Sequence, residues 1–348
     1  MKISIILPYK ENFSPEYPGA VSLFLNDVTK LSKYKKNIKI YGKTSFKKKL
    51  SSNYVNIDFK KFFFRSNTNT YIKKFLEYEK KSKSSLIEIH NRPDYIDRIY
   101  KFNKNLVLYF HNNPLEMKSS KSVSDRINIL NKCQKIIFNS KWTLSKFKEG
   151  ISKNLLTNKL EVINQSTSKK MINFKEKKKI ILFVGRLNKS KGYDIFGKAI
   201  INILNNYPDW KAIVIGDEPR EKLIFKHKNL KILGFQKYNS VTRWFIKSDI
   251  SVVCSRWNEP FGRTALEASS AGCAVIISNK GGLKEASPKA LKIKKLTVTN
   301  IENSIKKLIQ NERFKKLLQK KIYKNFYLTN NYISKIIDIY RDHIISNN

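Results

Sequence analysis

Two carboxylates with seven residues between them stand in the run Asn258-Glu259-Pro260-Phe261-Gly262-Arg263-Thr264-Ala265-Leu266-Glu267. The apolar run Ile250–Val253 just before it reads as a strand. Pro260 and Gly262 then punctuate a loop, and Arg263–Ser270 reads as the start of a helix. Both carboxylates would therefore lie at the carboxyl end of a parallel strand, where open α/β sheets bind ligands. The free N–H groups of a helix start favour an anion such as phosphate. A carboxylate in that place suits hydroxyl groups instead, as on a ribose or a sugar. The plain alternative is a capping pair on a surface helix.

A second run, Gly185-Arg186-Leu187-Asn188-Lys189-Ser190-Lys191-Gly192, follows the apolar stretch Ile180–Val184 at once. Glycine lets the backbone approach a ligand closely, and Arg186 and Lys191 can neutralise a diphosphate. It is not a Walker A loop, because the glycine spacing is wrong and no Gly-Lys-Ser/Thr closes it. A third run, Gly281-Gly282-Leu283-Lys284-Glu285, follows the stretch Ala274–Ile277 and reads by itself as a turn. Of the four histidines, His111 ends an apolar run and His90 ends another before Asn91-Arg92-Pro93; His111 is the first candidate and His90 its competitor. His227 and His343 stand in Lys-rich or helical surface contexts. No His, Cys, Asp and Glu set has metal-ligand spacing.

Positioning such residues needs a particular scaffold. Short apolar runs recur at Ile3–Leu7, Ile38–Tyr41, Leu86–Ile89, Leu106–Phe110, Lys135–Phe138 and Leu160–Ile163. They resume at Ile180–Val184, Ala212–Ile215, Leu230–Leu233, Ile250–Val253 and Ala274–Ile277. Continuous rather than alternating runs suit strands covered on both faces. Helical patterns intervene, as at Ser122–Cys133 and Ser240–Lys247, so βαβ units and doubly wound α/β sheets are expected. The segment Gln165–Lys179 is polar and Lys-rich and serves as the linker between two Rossmann-like domains. The boundaries expected are residues 1–168, residues 169–320 and a final stretch at residues 321–348. In that last stretch Ile333, Ile336, Ile337 and Tyr340 share one helical face, and the helix is expected to pack back on the first domain.

The 348 residues carry a formal net charge of +43, from 70 Lys and Arg against 27 Asp and Glu. Nucleic acid is the first partner such a charge brings to mind. Yet there are 11 Arg against 59 Lys, whereas nucleic-acid readers favour the planar Arg fork. Lys is abundant together with Asn, Ile, Phe and Tyr, all with AT-rich codons, so a skewed genome yields the same excess without any binding role. The 21 Phe and 17 Tyr exclude a disordered basic tail, and 12 Gly with 9 Pro exclude a collagen-like chain. Cys133, Cys254 and Cys273 are far apart and odd in number, as for buried reduced thiols of a cytoplasmic protein. The start, Met1 to Pro8, is too short in apolar residues for a signal peptide, and no window approaches a transmembrane span.

Taken in order, the Gly-Arg-Leu-x-x-x-Lys-Gly run, the Glu-Pro-Phe-Gly-x-x-x-x-Glu run and the Gly-Gly turn resemble the retaining glycosyltransferases of family 4, which have the GT-B fold. The resemblance spans Ile180 to Glu285. The first half is similar more loosely, through Phe110-His111, Phe138-Asn139-Ser140 and Val162-Ile163. The runs Glu88-Ile89-His90-Asn91-Arg92-Pro93 and His111-Asn112-Asn113-Pro114 look similar to members that build bacterial surface polysaccharides such as lipopolysaccharide.

The resemblance implies two Rossmann-like domains facing a cleft, an acceptor domain first and a nucleotide-sugar donor domain second, and transfer of a sugar to an acceptor hydroxyl with retention. It implies that Glu267 binds ribose hydroxyls and Glu259 hydroxyls of the donor sugar. Backbone N–H groups of Phe261 and Gly262 would hold that sugar and its phosphates beside Gly185. Arg186 and Lys191 would stabilise the leaving diphosphate, His111 would face the donor sugar, and Gly19 would line the diphosphate or the acceptor. Two positions depart from the family pattern: Gly19-Ala20 stands where many members have Gly-Gly, and Ala274 where many have Pro. The Asp-x-Asp motif of the other main glycosyltransferase fold is absent, so neither metal nor other cofactor is expected.

Two rival readings follow. One is a nucleotide-sugar epimerase of the same fold, against which the paired-glutamate spacing speaks. Another is a basic nucleic-acid-binding protein, for which the richest cluster is Phe59-Lys60-Lys61-Phe62-Phe63-Phe64-Arg65 with Lys73, Lys74, Lys80 and Lys81. The same Phe59–Lys81 segment also suits an anionic membrane surface, with the enzyme on the cytoplasmic face of the inner membrane and a glycan or lipid-linked acceptor. The alternative there is that Phe62–Phe64 enter the core of the first domain.

Overall fold

The computed structural model describes residues 1–59, 66–156 and 158–346. The chain divides into two compact units, Met1–Ser166 with Asn330–Asn348, and Thr167–Thr329.

In the first unit the strands are β1 (Ile3–Ile6), β2 (Ile38–Gly42), β3 (Tyr54–Asn56), β4 (Leu86–His90), β5 (Leu106–Phe110), β6 (Lys135–Phe138) and β7 (Leu160–Val162). They form one sheet in the order β3-β2-β1-β4-β5-β6-β7, and every pairing is parallel. The order reverses at β1 and β4, the switch point beside which a doubly wound sheet leaves a crevice at its carboxyl ends. The connecting helices are α1 (Ala20–Thr29), α2 (Asn67–Ser82), α3 (Ile96–Tyr100), α4 (Val123–Lys132) and α5 (Lys141–Lys148). Ser122 and Asp125 close a capping box at the start of α4, and Ser140 accepts the Thr143 N–H at the start of α5.

The second unit repeats the plan. Strands β8 (Lys178–Val184), β9 (Lys211–Ile215), β10 (Leu230–Ile232), β11 (Ser248–Val253), β12 (Ala274–Ser278) and β13 (Leu291–Ile293) pair in the order β10-β9-β8-β11-β12-β13, again all parallel. Its helices are α6 (Tyr193–Asn206), α7 (Tyr238–Lys247), α8 (Arg263–Ser270), α9 (Leu283–Ala286), α10 (Val298–Gln310) and α11 (Glu312–Lys324). Central strands such as β4, β5, β11 and β12 are buried along their whole length, as sheets covered on both faces require.

The last helix, α12 (Asn330–Ser346), belongs to the first unit, whereas residues 321–329 stay with the second. Ile333, Ile337 and Tyr340 are buried. A buried pair fixes the helix to the sheet: Arg341 Nε and Nη2 donate to the two oxygens of Glu88 on β4 at 2.7 and 2.8 Å. Tyr340 Oη donates to Glu88 Oε1 at 2.6 Å. Arg341 Nη1 also donates to Asp338 Oδ1 at 3.1 Å, and Asp338 in turn accepts from the Lys33 N–H at 2.8 Å.

Of the basic aromatic segment Phe59–Lys81, residues 60–65 lie outside the described residues. Phe59 stacks on Tyr9, and Lys43 lies 4.3 Å from the centre of its ring. On α2 the core side carries Tyr71, Ile72 and Phe75, and Lys74 pairs with Glu77. Among the described residues no helix is long and apolar enough to cross a membrane. The three cysteines are free and buried, and burial pushes the Cys133 and Cys254 thiols up to about 12, so neither is a thiolate nucleophile near neutrality.

Candidate active site

The second unit assembles three of the sequence runs into one constellation at the carboxyl ends of β8, β11 and β12. The Gly185–Gly192 loop leaves β8 and ends in a short 3-10 turn over Lys189–Lys191, capped by Asn188, whose side chain accepts the Lys191 N–H. The loop after β11 is stitched to it. Ser190 O accepts N–H groups of Arg256 and Trp257 at 2.9 and 3.2 Å, and the Ser255 hydroxyl at 3.1 Å. The Arg256 guanidinium meets both oxygens of Asp194 on α6. These ties bring Lys191 and Glu259 together, Nζ to Oε1 at 2.5 Å, with Glu259 only 7% exposed. The Trp257 ring lies 5.1 Å from the same ammonium.

The Gly-Gly turn holds the Glu259 loop from behind. Gly281 has φ +56, and a Cβ there would strike the Glu259 carbonyl oxygen, so only glycine fits. The Gly282 N–H donates to that carbonyl at 2.7 Å. Phe261 puts its ring into the core, and Gly262 is the N-cap of α8 without a side chain to cap it. The backbone N–H groups of Phe261 and Gly262 donate no hydrogen bond among the described residues. They are thus open to an acceptor at a helix N-terminus. Glu267, in the second turn of α8, accepts from Arg263 Nε at 2.7 Å. Gly185 ends β8 beside β9, its N–H bonded to Ile215 O at 3.0 Å. Arg186 is exposed and forms no ion pair among the described residues.

Glu218 carries no motif. It accepts from Asn188 Nδ2 at 3.0 Å, and the hydrogen-bonded Arg220 guanidinium beside it holds its carboxyl down at about 2. It braces the residue that caps the Lys191 turn, a contact across β8 and β9 that no local spacing announces.

In the first unit His111 stands just past β5, with its backbone held on both sides. Its N–H donates to Asn91 Oδ1 at 3.1 Å, and its carbonyl accepts from Asn139 Nδ2 at 3.0 Å. The ring is 5% exposed. His111 Nε2 lies 3.0 Å from His90 Nδ1, and His111 Nδ1 lies 3.4 Å from Gln165 Nε2. His90 Nε2 is 3.9 Å from Glu88 Oε2. One set of tautomers fits these contacts, with His90 Nε2 facing Glu88 beyond hydrogen-bond distance. Glu88 draws the His90 proton to Nε2, His90 Nδ1 accepts from His111 Nε2–H, and His111 Nδ1 accepts from the Gln165 amide. Glu88 stays ionised because Arg341 outweighs the rise that burial alone would cause, holding its carboxyl well below the usual range.

Burial pushes both imidazoles below their ordinary value, His111 far below, with His90 adding to its fall. His111 is therefore neutral near pH 7 and is not a general acid there. Its weakest contact is the one to Gln165, and that contact must give way before Nδ1 can accept a bond from a ligand. A histidine with a depressed pKa leaves the unfolded chain binding more protons below about pH 6.5, so stability falls as pH drops through that window. The thermal midpoint of the wild type is expected to fall more between pH 7.5 and pH 5.5 than that of His90→Gln. Equal slopes for the two proteins would refute neutral burial of this pair.

Gly19 is the N-cap of α1, and a Cβ there would collide with the Glu11 carboxylate. Glu11 accepts the Ser22 N–H at 2.9 Å and so occupies the helix start that the sequence offered to a phosphate. Its pKa is raised by burial, opposed by the hydrogen bonds from Ser22. Among the described residues no group of three or more His, Cys, Asp or Glu side chains could hold a metal ion.

The family model of glycosyl transferases group 1 matches residues 164–326. This stretch is a group 1 glycosyltransferase domain. Spore coat protein SA of Bacillus subtilis (strain 168) is 37% identical over 121 residues, covering 31% of this chain and 32% of that protein. The lipopolysaccharide core biosynthesis mannosyltransferase LpsB of Rhizobium meliloti (strain 1021) is 30% identical over 132 residues, 35% of this chain and 37% of that protein. The chain thus spans about a third of the length of the curated relatives it matches. The crystal structure of Anabaena Alr3699/HepE in complex with UDP-glucose matches with a TM-score of 0.74 at 16% identity, over 99% of this chain and all of that one. The fold of this chain is GT-B, built from the two parallel α/β units above.

Proposed function

We propose that the protein is a retaining glycosyltransferase of family 4 that moves a sugar from a nucleotide-diphospho-sugar to an acceptor hydroxyl in the synthesis of lipopolysaccharide or another cell-surface polysaccharide. The observation that carries this reading is the pairing of Lys191 with Glu259 beside the uncapped start of α8. A cation, a carboxylate and free N–H groups within one loop cluster match a ligand that has phosphates at one end and hydroxyls at the other. The sequence kinship with LpsB, itself a lipopolysaccharide core mannosyltransferase, and the fold shared with a structure that holds UDP-glucose support the substrate class.

In this reading the donor diphosphate takes over the Lys191 ammonium, and Arg186, exposed and unpaired, swings onto it. Both cations stabilise charge as it builds on the leaving phosphate. Glu259, released from Lys191, accepts hydroxyls of the sugar, and Glu267 those of the ribose. Attack comes from the face that the diphosphate leaves, with a phosphate oxygen taking the acceptor proton. His111 contributes a neutral imidazole toward the sugar. No residue set for a metal is needed, and activity is expected to survive EDTA; its loss on chelation and return with Mg²⁺ would overturn that part.

The deciding experiment is a thermal-shift screen of UDP-, GDP-, ADP- and CDP-sugars, in which one donor class raises the midpoint. The stereochemistry of the product, read by NMR, then tests retention. Glu267→Ala is expected to weaken binding of that donor by about tenfold or more in calorimetry, through loss of charge-assisted hydrogen bonds of roughly 1.5–3 kcal/mol. Unchanged affinity would remove Glu267 from the ribose site.

A further inference from the structure

The Asn91-Arg92-Pro93 run has a use in the first unit that the donor chemistry does not absorb. Asn91 leaves β4 with φ +58, a conformation rarely held without compensation. Its side-chain oxygen supplies that compensation by accepting the N–H groups of His111 and Asn112, both at 3.1 Å. Pro93 then opens a short turn. Between them Arg92 lines a cavity of about 340 Å³ at the carboxyl ends of β1, β4 and β5, together with Lys10, Glu11, Asp94, Glu116 and Lys118 among others.

The charges around this cavity do not cancel. Glu11 is occupied by the Ser22 N–H, and Glu116 by Asn113 Nδ2 at 2.9 Å. The side chains of Lys10, Arg92 and Lys118 form no ion pair or hydrogen bond among the described residues, and Arg92 Nε is fully buried without a partner. Asp94 lies near Arg92 without pairing with it, and burial raises its pKa against the opposing charge of Arg92. A buried guanidinium N–H with no acceptor asks for one from outside, and its planar fork suits a carboxylate or a phosphate. A neighbouring carboxyl group suits hydroxyls.

We propose that this cavity binds a sugar carrying an anionic substituent, a carboxylate or a phosphate, with Arg92 on the anion and Asp94 on a hydroxyl. Calling that sugar the acceptor rests on the glycosyl-transfer reading; its binding to the first unit does not. A glycosyl acceptor so recognised would be an acidic saccharide rather than a neutral one.

The test is calorimetry or saturation-transfer NMR on the full chain at about 150 mM salt, with methyl glucuronide, glucose 6-phosphate, methyl glucoside and inorganic phosphate as probes. At least one of the two acidic sugars is expected to bind ten times more tightly than the glucoside and than inorganic phosphate. Arg92→Ala is expected to abolish that preference and Arg92→Lys to reduce it, while the exposed Lys36→Ala leaves it intact. The two acids report which anion is preferred. If Arg92→Ala fails to fold, Arg92→Lys alone decides, since its unchanged affinity would refute the guanidinium contact. Equal binding of glucoside and acids overturns the proposal, as does equal binding of inorganic phosphate, or a loss in Lys36→Ala as large as in Arg92→Ala, which marks general attraction to a basic protein. Donor stabilisation without acid binding removes this site and leaves the transferase; acid binding at Arg92 without any donor removes the transferase and leaves the site.

Discussion

Lys191→Ala is expected to lower kcat/KM by about 10²–10³, the range found when one preorganised group facing developing charge is removed. The loss has two sources in this geometry. The cation that would meet the diphosphate disappears, and Glu259, buried and 2.5 Å from that ammonium in the wild type, is left as an unpaired carboxylate in the same loop cluster. A second negative charge next to a diphosphate opposes donor binding, so KM should rise as kcat falls. Lys191→Ala with Glu259→Gln separates the two: removing the exposed repulsion is expected to restore part of KM without restoring kcat. Residues in direct contact couple by about 0.5–3 kcal/mol, so the double variant should depart from additivity. Strict additivity in steady-state kinetics, or a Lys191→Ala enzyme with unchanged kcat, would place the diphosphate elsewhere. Arg186→Ala should cost less than Lys191→Ala, because Arg186 is exposed and its loss strands no buried partner.

The scaffold was legible because its signals are local. Each of the eleven apolar runs read from the sequence is a strand within one or two residues of its observed ends. The two strands missed, β3 (Tyr54–Asn56) and β13 (Leu291–Ile293), lie at sheet edges, are three residues long and have no continuous apolar run to show them. The expected linker Gln165–Lys179 is narrower than drawn, because β8 starts with Lys178 and Lys179, two exposed lysines on an otherwise apolar strand. In the second unit Lys191, Glu259 and Gly281-Gly282 were legible as candidates because each stands in a short run within the loop after a strand.

What the sequence concealed depends on contacts between distant residues. Glu88 sits within Leu86-Ile87-Glu88-Ile89-His90, a strand buried throughout, and a lone carboxylate there signals that a cation must come from elsewhere. Nothing nearby identifies Arg341 as that cation. His90 and His111, rivals in the sequence, are joined in the fold, His90 Nδ1 lying 3.0 Å from His111 Nε2 in one chain of contacts. Glu11 was missed for a similar reason, since its role at the start of α1 appears only once the loop after β1 folds back.

The largest expected loss of stability follows from that hidden pair. Among the described residues, Arg341→Met leaves the buried Glu88 with Tyr340 and the distant His90 beside it. Removing one partner of a buried ion pair typically costs about 3–5 kcal/mol, because the remaining charge keeps its desolvation penalty. For a unit of this size that corresponds to a fall of roughly 10 °C in the thermal midpoint. The sign of the pH dependence is fixed by the same argument. In the wild type Glu88 titrates far below its unfolded value, so its contribution is present above about pH 4.5 and is lost as pH falls further. Without Arg341, burial raises the Glu88 pKa, the group takes up a proton more readily, and the gap between variant and wild type should narrow as the pH is lowered from 7.5 to 5. Glu88→Gln combined with Arg341→Met should recover most of the loss, since a neutral pair needs no counter-charge. The double variant should also lose the pull that holds the His90 proton on Nε2, visible in imidazole ¹⁵N shifts as a change of tautomer at His90 and His111. Unfolding midpoints for the wild type and the two variants decide the matter. A double variant no more stable than Arg341→Met would show that α12 is held by packing of Ile333, Ile337 and Tyr340 rather than by the carboxylate it reaches across to neutralise.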